Sequence, residues 1–151
     1  MPAFDRDAMV AVAHAHAAAE ADGDIETTMR TLDDNPVYEL LPMGVCLRGR
    51  ELARRYYEHF FAECQPRIAG YSLRSEWVTD EALGQEYQVF LDSAEGPIRH
   101  DIIGILTFGA GDRLSGERIY ASDELLRIMF GSVLDHAIPV SADGLPEGGS
   151  R

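Results

Sequence analysis

Residues 98–121 read IRHDIIGILTFGAGDRLSGERIYA, and their reading decides the fold. Two long runs with a period of two flank Gly109-Ala110-Gly111-Asp112, the pattern of two strands joined by a hairpin turn. On the first run, Ile98 to Phe108, one face carries Ile98, His100, Ile102, Gly104, Leu106 and Phe108. The other carries Arg99, Asp101, Ile103, Ile105 and Thr107. The first face is more apolar, so it should turn inward and take His100 with it. The second strand runs from Leu114 to Ala121. Upstream, Tyr71, Leu73 and Trp77 share one face of a strand, and Tyr87, Val89 and Leu91 share one face of the next. Four strands therefore follow one another as a meander.

Helical spacing dominates the first half. Residues 4–22 are rich in Ala and stop at Gly23. Asp24 is placed to cap a short second helix, roughly Ile25 to Leu32. Asp33-Asp34-Asn35-Pro36 reads as a turn, Val37 to Leu41 as a short strand and Pro42-Met43-Gly44 as a second turn. Residues 50–63 form a third helix, with Leu52, Tyr56 and Phe60 on one face and Pro66 closing it. Ser122 caps a last helix that Gly131 stops, with Asp123 and Glu124 at its positive end. Helices first and a meander later mean α+β with an antiparallel sheet. About three helices cover one face of a curved sheet and leave a cavity between them. Residues 1–138 read as a single domain, and 139–151, rich in Gly, Ser, Pro and Asp, as a disordered tail.

Composition narrows the function classes. The chain has 151 residues, 46% hydrophobic and 26% charged, as one globular domain requires. A net charge of −13 repels phosphate backbones and anionic lipid, so neither nucleic acid nor membrane is an expected partner. No apolar run reaches the roughly 18 to 20 residues of a membrane span, and no basic segment precedes an apolar one as in a secretory signal. Cys46 and Cys64 are too few for a disulfide framework and lack zinc-ligand spacing. They read as reduced thiols of a cytoplasmic protein. His14 and His16 lie two apart and cannot share a helix face, so no metal pair is expected. No nucleotide loop is present, and no cofactor is expected.

The order of elements resembles the nuclear transport factor 2-like superfamily, which includes ketosteroid isomerase-like proteins and SnoaL-like polyketide cyclases. Four pieces carry the resemblance: AEADGDIE from Ala19 to Glu26, DDNPVYE from Asp33 to Glu39, LRGRELARRYY from Leu47 to Tyr57, and LTFGAGDRLSGERIY from Leu106 to Tyr120. It spans roughly residues 4 to 131 and implies a cone-shaped, cystatin-like α+β barrel with an internal cavity. That fold hosts isomerases, cyclases, dehydratases, epoxide hydrolases and non-enzymatic binders.

The candidate chemistry follows partly from strand parity and partly from the resemblance. His100, inward among Ile and Leu, is either a group that titrates near neutrality or a core histidine bonded to a carbonyl. The family's hairpin pattern places Glu117, Ile119 and Ala121 inward, so Glu117 beside His100 would make an acid/base couple. Glu117 is otherwise a surface carboxylate pairing with Arg99 or Arg118. The resemblance also places Glu39 where the isomerases carry a proton-abstracting carboxylate, while a one-residue slip would place Tyr38 or Leu40 there. It places His16 where they carry an oxyanion-donating Tyr. Their second donor, a protonated Asp, falls on Gly104, which argues against steroid isomerisation as such and leaves His100 as a substitute.

Substrate contacts are expected from Tyr38, Tyr56, Phe60, Trp77, Ile102 and Ile119. The aromatic residues of the third helix equally suit a core, and Trp77 a core or a dimer interface. Arg99 and Asp101 suit a salt-bridged outer surface, and Arg54 a solvated helix face or a carboxylate contact. The leading expectation is a small cofactor-independent enzyme that transfers a proton on a medium-sized apolar carbonyl compound. Isomerisation, cyclisation or dehydration of a polyketide or steroid-like molecule would follow. The alternative is a non-catalytic binder or structural member. A homodimer is expected through Ile103 and Ile105 on the outer face.

Overall fold

A computed structural model describes residues 5–140 of the chain. Helices α1 (Arg6–Asp22) and α2 (Ile25–Arg30) come first. Strands β1 (Leu32–Leu41) and β2 (Val45–Arg48) follow, then helix α3 (Arg50–His59). Strands β3 (Ile68–Val78), β4 (Ala82–Leu91), β5 (Ile98–Phe108) and β6 (Leu114–Tyr120) form the meander. Helix α4 (Asp123–Phe130) and the short strand β7 (Ile138–Pro139) complete the chain.

The helix ends are built from local chemistry. Asp24 accepts from the Thr27 N–H and Ser122 from the Leu125 N–H, each satisfying a donor that the helix itself leaves free. Gly23, at φ 68°, returns its N–H to Ala19 and Glu20 and ends α1 in the left-handed conformation that glycine tolerates. Helix α3 does not run regularly to residue 63. It widens into a π turn over Phe60–Cys64 and tightens into a 3-10 turn over Gln65–Arg67. The wider turn shifts the side chains beyond His59 around the helix axis, and both Phe60 and Cys64 reach the cavity wall.

One curved, unclosed sheet runs in the order β3-β4-β5-β6-β1-β2-β7. The meander is antiparallel throughout. The edge between β6 and β1 is parallel, because the whole of α3 and the meander serve as the crossover that a parallel pair needs. Strand β1 begins at Leu32, so the expected acidic turn is part of the strand. There β1 runs so close to β6 that a Cβ on Gly116 would overlap the Val37 carbonyl. The first residues of the expected tail belong to the sheet: Ile138 and Pro139 pair with β2, and Val140 N–H donates to the Gly44 carbonyl. Residues 141–151 lie outside the described residues. Helices α1, α3 and α4 cover one face, and the core between them includes Met9, Tyr38, Tyr56, Leu106, Ile119, Leu126 and Phe130.

Candidate active site

Between α1, the π turn, α4 and the inner faces of β3–β5 lies a cavity of about 590 Å³. Its wall is mostly apolar or aromatic, with Phe60, Ile68, Tyr71, Tyr87, Val89, Leu91, Ile102, Leu125 and Met129. Glu20 is the charged side chain among its lining residues. This residue lies one turn after His16 on α1, and the two are in contact, His16 Nε2 to Glu20 Oε1 at 3.4 Å.

His16 is fully buried and held at both ring nitrogens. Thr31 Oγ1 donates its single proton to the Thr28 carbonyl at 2.6 Å. At its 2.7 Å contact with His16 it therefore accepts, which places the hydrogen on Nδ1. In the neutral ring Nε2 then carries a lone pair, and the Tyr57 hydroxyl donates to it at 3.1 Å. Tyr57 in turn accepts from the Tyr38 hydroxyl at 2.6 Å. Burial pushes both phenols well above the ordinary tyrosine range, so they stay protonated and donate.

Glu117 comes to the same place from the sheet. It sits on the inner face of β6, opposite Tyr38 on β1 and Leu106 on β5, and is only 9% exposed. Its Oε1 lies 2.8 Å from where a Cβ of Gly104 would stand, with Tyr87 at 3.5 Å from the same point. The absent side chain of Gly104 thus makes the room that the Glu117 carboxyl fills. Burial first, and then the charge of Glu20, raise the Glu117 carboxyl well above the ordinary range. The carboxyl has no hydrogen-bond or ion-pair partner among the described residues. His16, Glu20 and Glu117 bring one nitrogen and two carboxyl oxygens within 4.8 Å of one another.

The sequence-derived candidates divide accordingly. His16 and Glu117 meet. His100 does face inward, but it pairs with Val89, six residues along β5 from the Leu106 that faces Glu117. Six strand residues span about 20 Å, so the His100–Glu117 couple does not form. Glu39 is not an inward base. Leu32, Pro36, Tyr38 and Leu40 are the buried positions of β1, and the period of two puts Glu39 on the opposite face.

Among the expected substrate contacts, Phe60 and Ile102 line the cavity. Tyr38, Tyr56 and Ile119 are core residues outside its lining, Tyr56 stacking on Phe130 at 3.9 Å. Trp77 is turned away from the cavity. A register shift between Leu73 and Ser75 moves β3 by one face, so Tyr71 faces inward while Trp77 covers Gly84 on the outer surface. Arg54 is held by Glu26 at 2.9 Å, and Arg99 pairs with Asp101 at 2.9 Å on the outer face, as a salt-bridged surface requires. Residues that the sequence reasoning missed are Glu20, Tyr57 and Tyr87. The His16–Glu20 spacing of four was the available signal.

No protein-family model and no curated protein matches the chain. Solved structures do resemble it. An NTF-2 like protein of unknown function from Burkholderia xenovorans LB400 superposes with a TM-score of 0.60 at 22% identity, over 78% of this chain and 84% of that one. The epoxide hydrolase/cyclase-like enzyme SalBIII, of pyran ring formation in the polyether salinomycin, gives a TM-score of 0.66 at 8% identity over 80% and 95%. PrhC from Penicillium brasilianum gives 0.60 at 14% identity over 87% and 90%. The chain has the nuclear transport factor 2-like fold.

Proposed function

We propose that the chain is an acid–base enzyme acting on a medium-sized apolar carbonyl compound, such as a polyketide or steroid-like molecule. One observation carries this reading: His16, Glu20 and Glu117 converge within 4.8 Å of one another, and Glu20 lines an apolar cavity. Two carboxyl groups in unlike surroundings are the usual arrangement for dividing acid and base roles. Glu117, kept protonated by burial, donates to the carbonyl oxygen of the substrate. Glu20, at the cavity surface, accepts the proton from the neighbouring carbon. The electron pair of that C–H bond moves into the enol, and return of a proton at another carbon completes an isomerisation. Where the enol attacks a second carbonyl or expels a hydroxyl, the same pair serves cyclisation or dehydration. Glu20 lies beside His16, which is fixed by Thr31 and Tyr57. Glu117 fills from β6 the donor's place that the resemblance left empty at Gly104. The neighbouring structures support the reading at the level of a cyclase-like enzyme on the same fold.

The experiment is deuterium uptake from D2O next to the carbonyl of a panel of cyclic and polycyclic ketones, followed by mass spectrometry. Catalysed uptake that falls roughly a hundredfold or more in Glu117→Gln and Glu20→Gln is expected. Uptake that both variants retain in full overturns the assignment. A panel that binds, shown by thermal shift, without exchange would instead favour the non-catalytic binder.

A further inference from the structure

We infer that His16, Glu20 and Glu117 form a binding site for one divalent transition-metal ion, best suited to Zn2+. The donor set is one imidazole nitrogen and two carboxyl oxygens within 4.8 Å of one another. An all-oxygen set would suit Mg2+ or Ca2+, whereas an imidazole with carboxylates suits zinc and its neighbours in the first transition row. Zinc bonds of about 2.0–2.2 Å at tetrahedral angles place adjacent donor atoms about 3.3–3.6 Å apart. The His16 Nε2 to Glu20 Oε1 distance of 3.4 Å already has that value.

Two further features point to a ligand rather than to a solvated acidic cluster. Glu117 is nine-tenths buried, directed at the other two donors, and has no partner among the described residues. His16 has its Nδ1–H given to Thr31 Oγ1, and Thr31 is itself anchored on the Thr28 carbonyl. Such a support fixes the tautomer with Nε2 free to coordinate, which is how metal-binding histidines are held. When the ion occupies Nε2, it replaces the Tyr57 hydrogen bond there, and the 2.6 Å Tyr57–Tyr38 hydrogen bond remains. Glu20 is a cavity-lining residue, so a remaining coordination position is open to water or to an oxygen of a bound molecule. The ion takes the same side chains as the proton-transfer site proposed above and requires Glu117 ionised, so the metal-bound form and the proton-transferring form are alternative states of one site, and binding of the ion does not require that the chain catalyse anything.

The test uses the full chain after treatment with a chelator and removal of the chelator. Zn2+ is titrated by calorimetry, and Co2+ is followed by its visible absorption bands. The expected result is one Zn2+ per chain, a rise in melting temperature, and Mg2+ binding at least a hundredfold weaker. Glu20→Gln and Glu117→Gln should each weaken Zn2+ at least tenfold. The Glu20 side chain is partly exposed, so its variant should keep the far-UV spectrum of the parent even if the Glu117 variant does not fold. No saturable uptake of Zn2+ or Co2+ overturns the site. So does uptake that Glu20→Gln leaves unchanged, because the ions would then sit on the many other acidic groups. Deuterium exchange by the stripped protein is measured separately, so loss of metal binding and loss of proton transfer are told apart.

Discussion

Replacing Tyr57 with Phe removes one oxygen but strands two partners. The hydroxyl of Tyr57 accepts from Tyr38 and donates to His16 Nε2, and all three groups are buried. In Tyr57→Phe the Tyr38 hydroxyl loses its acceptor and His16 Nε2 loses its donor. Each buried polar group left unpaired costs about 1–3 kcal/mol, so the two together cost about 2–6 kcal/mol. Tyr38→Phe removes the start of the chain instead. Tyr57 keeps its acceptor at His16 and loses only an incoming bond, which costs about 0.5–1.5 kcal/mol. For a chain of this length each kcal/mol lowers the melting temperature by about 2–4 °C. At the middle of each range, about 4 and about 1 kcal/mol, Tyr57→Phe should therefore fall by about 8–16 °C and Tyr38→Phe by about 2–4 °C. Urea unfolding followed by far-UV circular dichroism, with unchanged slopes, gives the free energies directly. Equal losses in the two variants would refute the direction assigned to the chain, and with it the tautomer of His16.

Glu39→Gln changes a side chain on the outer face of β1, so stability should move by no more than about 0.5 kcal/mol and catalysed deuterium uptake should be unchanged. A large loss of either would return Glu39 to the site. Burial pushes the Cys64 thiol from its ordinary 9.0 up to about 11. Between those values the folded chain keeps a proton that the unfolded chain releases, so this thiol's contribution to stability falls as pH rises through that window. The thiolate is the reactive form, so labelling of Cys64 by iodoacetamide should be slow at pH 8 and climb about tenfold per pH unit toward 11. Labelling at pH 8 as fast as a free thiol would contradict this. Trp77, Ile103 and Tyr120 are exposed on the outer sheet face and form an apolar surface suited to a second copy. Sedimentation at micromolar concentration should show twice the 16.7 kDa chain, and Ile103→Asp should return it to a monomer. A wild-type monomer removes the dimer.

What the sequence determined by itself was whatever depends on neighbours in the chain. Asp24, Ser122 and Gly23 mark helix ends because caps are made within three or four residues. The β5–β6 hairpin and the inward face of β5 follow from a period of two beside a glycine turn. The candidate site was legible only in its parts: His16 and Glu117 were singled out, but each with the wrong companion. Their meeting depends on β6 lying beside β1 and under α1, a long-range arrangement that no local period encodes. The face of Trp77 was decided by the register shift after Leu73, which reverses every side chain beyond it without altering the sequence pattern. The face of Glu39 was decided by packing, which buried Tyr38 and Leu40 against the helices. Glu117 became a buried acid because Gly104 on the next strand left room for its carboxyl, a contact between strands that only the tertiary structure could bring about.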